Sequence, residues 1–148
     1  MFKFFRFFVK DTAPVNIEKQ LASFYADAVR QMKKRIDVSD EKIAIAMQDA
    51  ENGRAKTAAA QILVEKRLKA IDILNGKIAE GKAEQVHLDW LLDTLSTLAI
   101  DLERQKREDD ENEKWIALLR NLRESMIEKL EDANDKLNEI TGEIKRAA

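Results

Sequence analysis

Cysteine is absent from this sequence, and histidine occurs once, at His87. The first absence excludes a disulfide framework and a thiolate metal site, and suits a chain that works in a reducing cytosol. One proline and four glycines leave few places where the backbone can turn. Outside the first eight residues the aromatics are only Phe24, Tyr25, Trp90 and Trp115, too few for an ordinary globular core. Long helices that share apolar seams need fewer large side chains. No run approaches the roughly 18 consecutive apolar residues of a membrane-spanning helix. The N-terminus does not read as a signal peptide either, because charges interrupt its apolar positions and no small-residue cleavage site follows.

Charge and phenylalanine are what the chain has in quantity. Asp, Glu, Lys and Arg make up 36% of it, against the usual quarter. Residues 1–36 carry eight cations and three anions, a net of +5, and the remainder carries 18 cations and 25 anions, a net of −7. A basic first third ahead of an acidic remainder favours an anionic surface at one end and allows head-to-tail contact between copies. Arg30, Lys33, Lys34 and Arg35 on one side, and Glu108, Asp109, Asp110 and Glu111 on the other, are the candidate self-assembly residues. Ordinary helix-surface charge is the bland alternative.

Five of the six phenylalanines lie in Met1-Phe2-Lys3-Phe4-Phe5-Arg6-Phe7-Phe8. On a helix, Lys3, Arg6 and Lys10 project at roughly 300°, 240° and 280°, a narrow cationic stripe. Phe2, Phe4, Phe5, Phe8 and Val9 cover the opposite arc, and only Phe7 sits beside the charges. This is the pattern of a helix lying in a membrane surface, with rings at the acyl boundary and cations on the headgroups of anionic lipids. Phe2 to Lys10 are therefore the candidate membrane-binding residues. Folding back as a core plug would bury Lys3 and Arg6 at high cost. Docking into a groove of a partner protein is the other alternative, and it makes the chain a soluble coiled-coil adaptor or chaperone-like bundle.

Downstream, Asp11-Thr12-Ala13-Pro14 predicts the end of this segment (1–12) and a new helix from Pro14. Apolar residues at Ile17, Leu21, Phe24, Ala28, Met32, Ile36, Ile43, Met47 and Ala50, with Ser39 filling one step, give 33 residues over nine steps, the eleven-residue repeat. Asn52-Gly53 reads as a helix stop, and the Ala-rich sequence that resumes at Arg54 makes it the expected hairpin turn of a core spanning 13–102. Val64, Leu68, Ile71 and Ile78 form the second seam, with Gly76 and Gly81 as possible kinks or turns. Leu88, Leu91, Leu95, Leu98 and Leu102 keep 3-4 spacing. Ten of the twelve residues from Glu103 to Lys114 are charged, which suits either solvated helix or a hinge. Leu119, Leu122, Met126, Leu130, Ala133, Leu137, Ile140 and Ile144 mark a last coiled-coil helix within 115–148. The expected class is all-α: an N-terminal amphipathic helix, a long antiparallel hairpin and further coiled-coil helices.

Chemistry is scarce. Glu84-x-x-His87 has di-iron carboxylate spacing, but that site needs two such pairs, and a second could come only from a symmetric dimer. No nucleophile elbow surrounds a serine, and neither Asn75-Gly76-Lys77 nor Gly81-Lys82 is a phosphate loop. A slightly acidic chain without zinc ligands or aromatic strands is a poor nucleic-acid binder. The expectation is a non-enzymatic protein with no cofactor, no metal and no small-molecule substrate, whose partners are anionic lipids and copies of itself.

The layout resembles the ESCRT-III superfamily, which includes phage shock protein A. The resemblance rests on the Phe-rich residues 2–9, the Pro14 start of a basic first arm, the stretch from Ala50 to Leu63 around Asn52-Gly53, and the acidic residues 108–113 ahead of a final helix. It implies a cytoplasmic protein, peripheral on the membrane surface, that polymerises through packed hairpins and reshapes or stabilises bilayers.

Overall fold

A computed structural model of the chain describes residues 14–147, with side chains from Ile17 to Ala147. The expected amphipathic segment 1–12 lies outside the described residues. Two α-helices, α1 (Pro14–Ala79) and α2 (Gln85–Ala147), pack together as a helical hairpin, with no strand among the described residues. The chain forms two compact units: one joins the residues up to Lys42 with those from Leu119 on, the other is Ile43–Leu118.

The turn is not at Asn52-Gly53, because α1 runs unbroken through both residues. It lies between Ala79 and Gln85, where Gly81 takes the left-handed conformation at φ 71°. The Lys82 N–H donates to Lys77 O at 2.8 Å and the Gly81 N–H to Ile78 O at 3.0 Å. Paired bonds of this kind, around a left-handed glycine, satisfy carbonyls that a helix end otherwise leaves open. Glu84 starts α2 by accepting from the His87 N–H at 3.2 Å. The charged stretch 103–114 is helix and not hinge, and the last coiled-coil helix expected at 115–148 is the continuation of α2.

The burial period explains both corrections. In the Ile43–Leu118 unit the buried and half-buried positions of α1 include Ala46, Ala50, Gly53, Thr57, Ala60, Val64, Arg67, Ile71 and Leu74, at alternating steps of four and three. On α2 the same alternation runs through Leu88, Leu91, Leu95, Leu98, Leu102, Gln105, Asp109, Asn112 and Ile116. The mean step is that of a left-handed coiled coil. Gly53, Gln105, Asp109 and Asn112 are seam positions, so a turn or hinge there would interrupt a continuous packing face. In the other unit the seam uses Val29, Met32, Ile36 and Ser39 on α1, with Leu119, Met126 and Leu130 on α2.

The expected eleven-residue repeat is therefore replaced by a heptad. Phe24, expected in the seam, is 62% exposed, and Met47 is 46% exposed. Leu68 and Leu122 are exposed as well. The first half of α1 carries a second apolar stripe beside the seam. A ladder that starts on Leu21, Phe24 and Ala28 and finishes on Ile36, Ile43 and Ala50 crosses from one stripe to the other, and the crossing inflates the apparent period.

Each unit is antiparallel within itself. In the Ile43–Leu118 unit, Arg67 meets Trp90 and Thr57 meets Asp109. In the other unit, Asp40 is ion-paired with Arg123 and Tyr25 meets Lys136. Arg67 is a half-buried seam residue whose guanidinium lies 5.3 Å from the Trp90 ring centroid. That cation–π contact contributes about 0.5–1 kcal/mol.

Two glycines separate turn geometry from helix propensity. Nothing lies within 4 Å of a Cβ added at Gly76, which is inside α1, whereas Gly81 holds a positive φ. Gly76→Ala should stabilise the fold by up to ~1 kcal/mol, and Gly81→Ala should destabilise it by about 1–2 kcal/mol. Thermal melts followed by circular dichroism would show the two midpoints moving in opposite directions.

Candidate interaction surfaces

Two places combine polar chemistry with unusual packing. The first is a polar layer inside the Ile43–Leu118 unit. Here α1 presents only small side chains, from Ala46 through Gly53 to Ala60, and α2 presents Gln105, Asp109 and Asn112. The Thr57 hydroxyl donates to Asp109 Oδ2 at 2.6 Å, a charge-assisted bond. Gly53 O lies 3.1 Å from the same hydroxyl, but with one proton to give, Thr57 directs it at the carboxylate. Asp109 Oδ1 and Gln105 Oε1 are buried without a hydrogen-bond partner. A Cβ added at Gly53 would stand 2.8 Å from Asp109 Oδ1 and 3.5 Å from Asn112 Nδ2. Gly53 thus serves close approach, not chain reversal.

A short polar stretch in an otherwise apolar seam selects one register at some expense of stability. Slipping α1 by one heptad against α2 would set Asp109 against Ala or Val and separate it from Thr57. The layer's function is positional: it decides which residues meet.

The second place is a groove of about 320 Å³ in the unit formed by residues up to Lys42 and from Leu119 on. Val38, Leu119, Leu122 and Met126 give it an apolar floor, and Lys34, Arg35 and Lys42 stand around it with Gln31 and Ser39. No carboxylate lines it. Among the described residues Lys34, Arg35 and Lys42 have no ion-pair partner, whereas the Arg123 Nε–H in the same unit donates to Asp40 Oδ1.

The residues singled out from the sequence fall in three groups. Phe2, Lys3, Phe4, Phe5, Arg6, Phe7, Phe8, Val9 and Lys10 lie outside the described residues. Arg30, Lys33, Lys34 and Arg35 are exposed on α1, and Arg30 is held by Asp27 at 2.9 Å. Glu108, Asp110 and Glu111 are exposed on α2, but Asp109 is half-buried and bound to Thr57 within its own hairpin. It is therefore an internal register residue, unlike its three neighbours. His87 is exposed, and among the described residues no three His, Cys, Asp or Glu side chains cluster to hold a metal ion. No described helix is long and apolar enough to cross a membrane.

Sequence reading missed the polar layer because Ala50, Gly53, Thr57 and Ala60 carry no large apolar side chain to mark a seam. The signal was there in the unbroken 3-4 step joining Ala46 to Val64. Comparison with known protein families, curated proteins and solved structures finds no match to this chain.

Gly53→Ala sets two effects against each other. Helix propensity favours Ala by ~1 kcal/mol, but displacing the Asp109 carboxylate breaks the Thr57 bond and overpacks the seam, about 1–3 kcal/mol. A net loss of ~1 kcal/mol is expected in urea unfolding. In an Asp109→Ala background the clash is gone, and the same substitution should stabilise. Equal effects in both backgrounds would show that the two residues do not couple.

Proposed function

We propose that this chain is a peripheral membrane-binding, self-assembling helical protein that remodels or stabilises membranes in the manner of ESCRT-III and phage shock protein A. The observation that carries the reading is the cation-edged phenylalanine run Phe2–Lys10 set directly ahead of an uninterrupted two-helix hairpin. Each Phe that enters the acyl boundary contributes roughly 1.5–3 kcal/mol. Each of Lys3, Arg6 and Lys10 adds about 1 kcal/mol against anionic lipid. Four or five rings and three cations hold one copy reversibly, and many copies in an assembly hold firmly through avidity.

The corrected turn favours the reading as well. With the reversal at Gly81, both arms are unbroken helices of 66 and 63 residues, and neither carries a break at Asn52-Gly53. Long arms with exposed charge of both signs offer lateral surfaces for neighbouring copies. The assembling protein would sit on the cytoplasmic face, its N-terminal segments in the headgroups and its hairpins side by side above them.

Liposome flotation tests this. Wild-type protein should rise with vesicles containing phosphatidylserine, and the double variant Phe4→Asp/Phe8→Asp should stay at the bottom with its helical circular dichroism unchanged. Equal flotation of the two proteins would remove the membrane role and leave a coiled coil that uses its aromatic end elsewhere.

A further inference from the structure

We infer that the groove between Val38 and Leu122 is filled by the acidic, tryptophan-bearing face of α2 from a second copy of this chain. The inference rests on the self-assembly half of the proposed function and names the contact that would carry it.

The groove determines the chemistry of its occupant. Its floor is apolar and open, and it stands at the low end of ligand-pocket volumes. A large side chain carried on a helix suits it. On α1, Arg35, Val38 and Lys42 stand at steps of three and four, so one face reads cation, apolar, cation. With no acid in the lining and no ion-pair partner for these cations among the described residues, an occupant that brings negative charge is favoured.

The same chain carries a matching face. Glu108, Glu111, Trp115 and Leu118 on α2 stand at steps of three, four and three, which places them on one side of the helix. Both glutamates are exposed, and so are Trp115 at 52% and Leu118 at 47%. Large side chains left in water beside acids, on one helical face, are the usual anchors of a helix-in-groove contact. Trp115 and Leu118 would cover the floor while Glu111 and Glu108, both on the N-terminal side of that pair, run past one rim of the groove toward its cations. The charges agree over the whole elements too: α1 carries twelve cations and nine anions, α2 ten cations and sixteen anions. Such a contact weakens as salt rises.

The test uses full-length protein without lipid, in sedimentation velocity over a range of concentration and salt. Wild type should self-associate, more weakly at high salt. Arg35→Glu/Lys42→Glu and Glu108→Lys/Glu111→Lys should each associate about tenfold more weakly alone. An equimolar mixture of the two should recover association, because each reversed surface meets its complement. Trp115→Ala should weaken association at every salt concentration. All four substituted charges are exposed, so helicity should be unchanged in each variant. A wild type that stays monomeric, or a mixture that fails to recover, overturns the inference. So does groove reversal that abolishes binding to phosphatidylserine vesicles while self-association persists, since the groove would then take a lipid headgroup. The Phe4→Asp/Phe8→Asp protein separates the two ideas. If it associates but does not float, the contact and the anchoring role of the phenylalanines both stand. If wild type floats but never associates, the anchor stands and the contact falls.

Discussion

The hydrogen bond from Thr57 to Asp109, made over a glycine with no Cβ, is the constraint on which the Ile43–Leu118 unit depends. Apolar heptads slide past one another at little loss, since one leucine layer resembles the next. A carboxylate among small residues does not slide, because only one register gives it a hydroxyl. Leu88 to Leu102 supply burial, and the polar layer supplies the address. Two buried oxygens without partners, on Gln105 and Asp109, are the stability given up for it.

Fold class was legible because helix periodicity, scarce glycine and absent alternation all point one way. The leucine ladder Leu88–Leu102 was legible for the same reason, and it lies in the seam as expected. The turn was not. Asn52-Gly53 and Glu80-Gly81 look alike as local signals, and the difference between them is tertiary. Gly53 continues a packing face shared with Asp109 across 56 residues of chain, and no local rule sees that partner. Residues 103–114 were ambiguous because their charges are real but their seam positions, Gln105, Asp109 and Asn112, are polar. The first arm misled through its second stripe, where Phe24 and Val38 are as apolar as any core residue but face outward.

Those outward stripes connect the fold to the proposed role. The hairpin leaves Val38, Leu122, Trp115 and Leu118 in water, with cations around the first two and acids beside the last two. Opposite charge on opposite helices, each next to exposed apolar side chains, is the pattern on which the proposed self-association rests. In the proposed function the N-terminal phenylalanines would take the complementary task of choosing where copies gather.

The tight reversal at Gly81 also ranks the pairings by how much chain each must close. Arg67 and Trp90 are 23 residues apart, Thr57 and Asp109 are 52, and Asp40 and Arg123 are 83. Closure entropy grows with the logarithm of that span, so the outermost of these pairs costs about 1 kcal/mol more than the innermost when formed from the open chain. If the inner pairs already stand, each later one closes only a short remaining span. Zipping outward from the capped tip is thus the cheapest order of assembly, and it leaves the ends of the chain free the longest.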